Sequence, residues 1–257
     1  MPLEQNWGVV QPPAILGDGN PNSPYILFDS RVHPLLPYGI AGVIWYQGES
    51  NAAEARLYRR LLPLMIRDWR RAWGQGDFPF LQVQLANYQA PATEPGPSDW
   101  AELREAQAAA LAEPNTGMAV AIDVGDAADI HPRDKRSVGL RLAWWALAEI
   151  YGRGGVPSGP LYTHATSEAR GRLRIHFRHA AGFKTRDGQA PHHVAIAGPD
   201  RKFLWAESDI EGETLLVWHP AILHPVAVRY AWATNPDGCN LVNAAGLPAS
   251  PFRTDTW

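Results

Sequence analysis

Apolar positions fall into two regimes along the chain. In the first, short apolar runs alternate with longer stretches in which apolar residues recur every three or four positions. Val43-Ile-Trp-Tyr46 is β-branched and aromatic, which predicts a short buried strand. Ala52 to Trp73 then carries Leu57, Leu61, Leu62, Leu64, Met65, Trp69 and Trp73 at helical spacing, and Gly74-Gln-Gly-Asp ends it. Phe78 to Ala86 predicts a second strand, with Pro79 near its start, where a missing ladder donor matters least. After a loop containing Pro91, Pro95, Gly96 and Pro97, Ser98 or Asp99 can cap a helix over Trp100–Glu113. Met118 to Ile122 predicts a third strand, Asp123 to Pro132 a polar loop at its end, and Lys135 to Tyr151 a helix striped by Val138, Leu142, Trp145, Leu147 and Ile150. Three strand–helix alternations predict a parallel sheet with right-handed crossovers.

The second regime begins after Gly152-Arg-Gly-Gly. Leu173–Phe177, His193–Ala197, Lys202–Ala206, Thr214–Trp218 and Val226–Trp232 read as consecutive short strands, separated by Asp187-Gly, Gly198-Pro-Asp and Glu211-Gly-Glu turns. The expected organisation is a loop or linker over 1–24, an α/β core over 25–160, and a β-rich antiparallel module over 161–257 packed on that core. Within the core, Tyr25 to Tyr38 predicts a short helix closed at Pro37.

Bulk properties narrow the function classes. With 257 residues, 46% of them hydrophobic, the chain can bury a substantial core without a metal or disulfide staple. A formal charge of −3 argues against a nucleic-acid-binding surface. Cys239 is the only cysteine, so no intrachain disulfide forms, and its turn-like surroundings suggest a passive thiol. The N-terminus lacks the basic start and apolar stretch of a signal peptide, and no window approaches the length of a membrane span, so a soluble protein is expected.

Candidate chemistry lies at the ends of the predicted strands, where α/β proteins gather functional residues. Gly48-Glu-Ser-Asn-Ala52 matches the first half of a nucleophile elbow, with Ala where the final Gly usually stands; this nominates Ser50 as nucleophile, and an ordinary N-cap is its alternative use. His131 sits on the loop after the third strand with Asp129 two residues and Asp126 five residues before it, the carboxylates a catalytic imidazole needs for orientation. Gln47, Gly48 and Asn51 are the candidate oxyanion and substrate-binding residues, with turn stabilisation as their alternative. Trp45, Tyr46, Tyr88 and Trp100 are candidates for stacking on a sugar ring, although packing must claim most of the chain's 11 tryptophans. Arg104 and Gln107 stand one helical turn apart; a solvated helix face is the favoured reading and a shared pocket the alternative. The histidines show no metal-ligand spacing, and no metal or other cofactor is expected.

Three stretches together resemble the sialate O-acetylesterase family of the SGNH hydrolases: Val43–Ala52, Trp100–Gln107 and Asp123–Pro132. The C-terminal Val-Arg-Tyr-Ala-Trp and Leu-Pro-Ala-Ser-Pro-Phe-Arg-Thr-Asp stretches resemble the end of that family. The resemblance implies a three-layer α/β/α parallel sheet, hydrolysis of acetyl esters on sugars by a Ser-His-Asp mechanism, and no metal. It maps the catalytic histidine onto His131 and a supporting element near the oxyanion onto Gln47-Gly-Glu49. The family's Asp-x-x-His spacing falls on Ala128, which leaves Asp129 as the acid and Asp126 as the reserve. In that family the nucleophilic serine lies in an earlier Gly-Gln-Ser-Asn motif, followed by a Gly-containing oxyanion block, and neither occurs before Gly42 here. The local pattern thus nominates Ser50, whereas the resemblance makes it a neighbour of a nucleophile located elsewhere. On the second reading the chain is the C-terminal part of an esterase with an incomplete sheet, and the free edge of the Trp45 strand is open to another copy or a partner chain. An acetylated sugar is the expected substrate, with neither nucleic acid nor membrane as partner. The alternative is a non-catalytic carbohydrate-binding or assembly fragment.

Overall fold

The computed structural model describes Asn20, Ser23 and residues 25–257; the predicted linker over 1–24 otherwise lies outside the described residues. Strands β1 (Val43–Trp45), β2 (Phe80–Val83) and β3 (Thr116–Ala119) form a parallel sheet in the order β1-β2-β3. Side chains alternate across it, as a period of two requires. Val43, Trp45 and Phe80 pack on helices α1 (Ala55–Trp73) and α2 (Asp99–Ala109), while Leu81, Val83 and Ala119 pack on α3 (Lys135–Trp145). The result is the expected three-layer α/β/α arrangement.

Helix ends follow the predicted chemistry. Ser98 Oγ accepts from Ala101 N at 3.1 Å, and Asp134 Oδ1 accepts from Ser137 N at 2.9 Å. The predicted Lys135–Tyr151 helix loses its regular pitch after Trp145 and finishes as a π-helical turn, Ala146–Ile150. The predicted Tyr25–Tyr38 helix is likewise irregular, a π-helical turn at Phe28–Val32 followed by a 3-10 turn at His33–Leu35. In α1 the buried face is Ala55, Tyr58, Leu62, Ile66 and Arg70, rotated from the stripe expected from the sequence. Leu61 and Leu64 are 41% and 54% exposed. This helix carries two apolar flanks, and the sheet with α2 covers one of them.

The antiparallel part contains β4 (Leu161–Glu168), β5 (Arg172–Arg178), β6 (Lys184–Thr185), β7 (Val194–Ala197), β8 (Phe203–Trp205), β9 (Glu207–Glu211), β10 (Thr214–Trp218), β11 (Ala227–Tyr230), β12 (Leu241–Val242) and β13 (Phe252–Arg253). Two four-stranded sheets have the orders β4-β5-β10-β9 and β13-β11-β7-β8, and β12 pairs with β6. The five predicted strands correspond to β5, β7, β8, β10 and β11. Those left unpredicted are two-residue pieces or edges: β4 buries only Leu161 among its eight residues, and β9 only Ser208 among five. An edge strand facing solvent needs no apolar alternation, so it leaves no pattern to read.

One hydrophobic cluster joins the two parts, with Met118, Val120 and Ile122 packed among Leu161, Ile175, Ile196, Val228 and Phe252. Among the described residues no helix is long and apolar enough to cross a membrane. On the side of β1 away from β2, no described strand pairs with it.

Candidate active site

The turn after β1 is shaped by Gly48. Its φ of 149° is disfavoured for side-chain-bearing residues, and a Cβ there would stand 2.8 Å from Leu103 Cδ2 and 3.2 Å from Gln107 Nε2. A 3-10 turn, Glu49–Glu54, then leads into α1, and Asn51 N donates to Gly48 O at 2.8 Å. The Gln47 carboxamide is held at both ends: Nε2 donates to Asn51 Oδ1 at 2.7 Å, and Oε1 accepts from the Tyr58 hydroxyl at 3.1 Å. Gln107 clamps the turn from α2. Its Nε2 donates to Gln47 O at 3.1 Å and Val83 O at 3.2 Å, and its Oε1 accepts from Leu85 N at 2.9 Å. Gln47 therefore orients Asn51, whose Nδ2 donors make no hydrogen bond with the described residues.

Ser50 is exposed within this 3-10 turn. Its alternative use as an N-cap is not realised, since Gly48 caps the 3-10 turn and Glu54 precedes α1, neither with a side-chain cap bond. No hydrogen bond joins Ser50 to His131, Asp129 or Asp126.

The His131 loop is pinned at its base and free at its tip. Asp123 is buried and accepts from both nitrogens of Arg141 at 2.6 and 2.9 Å and from Arg186 at 2.7 Å. Burial works against its charge, but the hydrogen bonds and charges of Arg141 and Arg186 outweigh it and hold the carboxyl below its usual range. Gly125 N donates to Asn87 Oδ1 at 2.7 Å, and a Cβ on Gly125 would lie 1.9 Å from Asn87 O, so only glycine fits. Gln89 N donates to Ala127 O at 3.1 Å, the last of these ties to the loop after β2. Beyond it, Asp126 Oδ1 accepts from Ala128 N and Asp129 Oδ1 from His131 N, each at 2.8 Å. His131 Nδ1 lies 3.7 Å from Asp129 Oδ1, and the imidazole is 86% exposed. Both aspartates accept from the backbone two residues on, and Asp129 is the one whose carboxylate stands beside the ring.

This loop lies against the end of β1. Ile130 packs into the cluster that holds Trp45, Tyr46 and Tyr88, and Lys135 Nζ sits 5.2 Å from the centroid of the Tyr46 ring. The Gln47–Asn51 turn and the His131 loop thus share one end of the sheet. Burial, reinforced by the charge of Glu49, pushes the Tyr46 hydroxyl up to about 12.

The reading of Arg104 and Gln107 as a solvated face is overturned: they are 0% and 1% exposed. Arg104 donates to Leu85 O, Ala86 O, Ala233 O and Thr234 O at 2.6 to 2.9 Å, tying α2 and the end of β2 to the antiparallel part. Burial lowers it to about 9, and it stays charged at neutral pH. The available signal was that Asp99, Glu102 and Glu105, three residues apart, already supply the polar face of α2, which leaves Arg104 and Gln107 on the side of the buried Ala101, Leu103 and Ala106. Of the proposed stacking residues, Trp100 is buried with its indole nitrogen donating to Ala86 O and serves the core, whereas Trp45 packs edge-on against Trp69, is half-buried, and lines a cleft of about 490 Å³ with Gln47 and Asn51. Among the described residues no group of three or more His, Cys, Asp or Glu is arranged to hold a metal.

The family model described as carbohydrate esterase, sialic acid-specific acetylesterase matches residues 21–147, the stretch that carries both halves of this site. A sialate O-acetylesterase of Mus musculus is 35% identical, over 88% of this chain and 46% of that protein. One from Homo sapiens is 31% identical, over 90% of this chain and 49% of that protein. Among solved structures, a carbohydrate acetylesterase from Xanthomonas citri superposes with a TM-score of 0.88 at 45% identity, covering 94% of this chain and 56% of that one. The chain thus spans about half the length of the curated relatives it matches.

Proposed function

We propose, for a chain that belongs to the sialic acid-specific acetylesterase family of carbohydrate esterases, that it carries the histidine side and the oxyanion wall of a sugar O-acetylesterase site. The observation that supports this best is an exposed imidazole 3.7 Å from a carboxylate, on a loop lying against the strand end that bears the Gln47–Asn51 turn. In this reading a serine hydroxyl attacks the acetyl carbonyl carbon and its proton passes to His131. Asp129 stabilises the imidazolium, and Asn51 Nδ2, oriented by Gln47, donates to the developing oxyanion. His131 then returns the proton to the departing sugar oxygen, and water hydrolyses the acetyl-serine. The substrate class is an acetylated sugar, in line with the names of the relatives.

A fluorophosphonate separates the sources of the serine. Labelling at Ser50 supports a self-contained enzyme; no label on this chain favours the fragment reading, in which the nucleophile lies outside it, or the binding reading. The absence of any hydrogen bond between Ser50 and His131 favours the second source, and it also keeps a carbohydrate-binding or assembly role as the competing reading. Replacing His131 with Ala tests the base directly: acetate release from p-nitrophenyl acetate and acetylated sugars should be abolished, and undiminished turnover overturns the assignment.

A further inference from the structure

A cleft of about 240 Å³ opens where the helical layer meets the antiparallel part, between α1, the end of α2, β4 and β13. Its floor is apolar. Tyr162 stacks on Phe252 with ring centroids 4.8 Å apart and planes 11° from parallel, and Leu111 and Leu161 extend that surface. Its charged lining is unbalanced: Arg59, Arg178 and Arg253 stand against a single carboxylate, Glu105. Arg253 takes both oxygens of Glu105, at 3.0 and 2.9 Å. Asp255, 3.9 Å from Arg253, is already paired with two nitrogens of Arg229 at 2.8 Å. Arg59 is left 3.5 Å from Glu105 Oε2 without a hydrogen bond, its side chain 54% exposed. Arg178 is exposed, and its side chain makes neither a hydrogen bond nor an ion pair with the described residues. An apolar hollow thus carries two uncompensated guanidinium groups, contributed by α1 and β5.

The cleft has the space of roughly eight waters at about 30 Å³ each, below the roughly 300–1,000 Å³ of sites for drug-sized ligands, so it takes one ring and a head group. Neutral polar partners for that ring are scarce. Ser250 is buried and bonded to Gln84 at 3.0 Å, which leaves the Tyr162 hydroxyl as the one uncommitted neutral polar group among the lining side chains. A sugar ring would leave several hydroxyls unpaired there; an apolar ring leaves none. We propose that this cleft binds a small aryl anion, a single apolar ring packed against Tyr162 and Leu111 and carrying one carboxylate or phosphate held by Arg59 and Arg178 through charge-assisted hydrogen bonds. Bound there, the anion bridges α1, which the Gln47–Asn51 turn leads into, and β5 of the antiparallel part. The proposal does not rest on the esterase reading.

The test is isothermal titration calorimetry on the whole chain with benzoate and phenyl phosphate, and with glucuronate and inorganic phosphate as controls that keep the charge without the apolar ring. At least one aryl anion should bind saturably, one per chain and more tightly than its control, with an affinity that falls as salt is raised. Which of the two binds better names the head group and upholds the site. Arg59→Gln and Arg178→Gln change exposed positions, so each variant should keep its circular dichroism spectrum while weakening binding by about tenfold or more, the scale of a lost charged hydrogen bond. Amide shifts in a two-dimensional NMR titration should cluster at Ala108–Leu111 and Tyr162. No saturable binding of either aryl anion, controls that bind as tightly as the aryl anions, or binding indifferent to both arginine variants overturns the proposal.

Discussion

Gln107 offers the sharpest test of how the site is held. Replacing it with Leu keeps the volume and removes three hydrogen bonds, to Gln47 O, Val83 O and from Leu85 N. At about 1 kcal/mol net for each bond, and a further 1 kcal/mol or more for a Leu85 N–H left buried without its acceptor, the loss is about 4 kcal/mol. The added apolar surface offsets about 1 kcal/mol of this, so the expected destabilisation is about 3 kcal/mol. In a chain of this size that lowers Tm by roughly 6–12 °C. Urea denaturation followed by tryptophan fluorescence measures it, and hydrogen exchange at Asn51 N, bonded to Gly48 O at 2.8 Å, should accelerate because the turn has lost its tether. Gln107→Glu has the same shape but turns a carboxylate oxygen toward two carbonyls. Its carboxyl pKa must rise on folding, so the deficit against the parent is full at pH 8 and shrinks toward pH 5, as the acid proton becomes available to donate to one carbonyl. A Leu variant within 1 kcal/mol of the parent, or a Glu deficit that does not change with pH, would refute the clamp.

Asp123 carries a second prediction, because its depressed pKa contributes stability that is present above the unfolded value near 4 and is lost as pH falls through the folded one. Asp123→Asn should cost about 3 kcal/mol at pH 7 by leaving Arg141 without its buried partner, and its acid-unfolding limb, followed by circular dichroism from pH 6 to 2, should be shallower than the parent's. Gly48→Ala combines an unfavourable φ with a 2.8 Å approach to Leu103, and should cost about 2–3 kcal/mol in chemical denaturation. Cys239 is buried and burial raises its thiol to about 12, so a disulfide reagent such as DTNB should react with it only once the chain is unfolded; rapid labelling of the native protein would contradict its placement.

The α/β layers were legible because hydrophobic period announced them: four apolar residues at Val43–Tyr46 and helical spacing after Ala52 leave few alternatives. The face that α1 buries was not legible, since Leu61 and Leu64 are as apolar as Leu62 and Ile66, and tertiary packing decides between them. Edge strands β4 and β9 escaped for the opposite reason, having almost no buried side chains to pattern. Of the proposed site, the placement of His131 at the end of the sheet was legible from the apolar strand and the two aspartates before it. Gln47 and Asn51 could be named, but not their division of labour, which depends on Tyr58 eleven residues along the chain from Gln47 and on Gln107 sixty residues from it. Arg104 was misread because a charged residue on a helix is usually solvated; four carbonyls converging from two separate segments, Leu85–Ala86 and Ala233–Thr234, hold it instead.

The central claim is that His131 serves as the base for acetyl-ester hydrolysis on a sugar. Acetate release from O-acetylated sialic acid, measured on the parent chain and on its His131→Ala variant, tests it most directly. The account predicts a fall in kcat of roughly a thousandfold in the variant, the scale of a lost general base. Turnover unchanged by His131→Ala would contradict it.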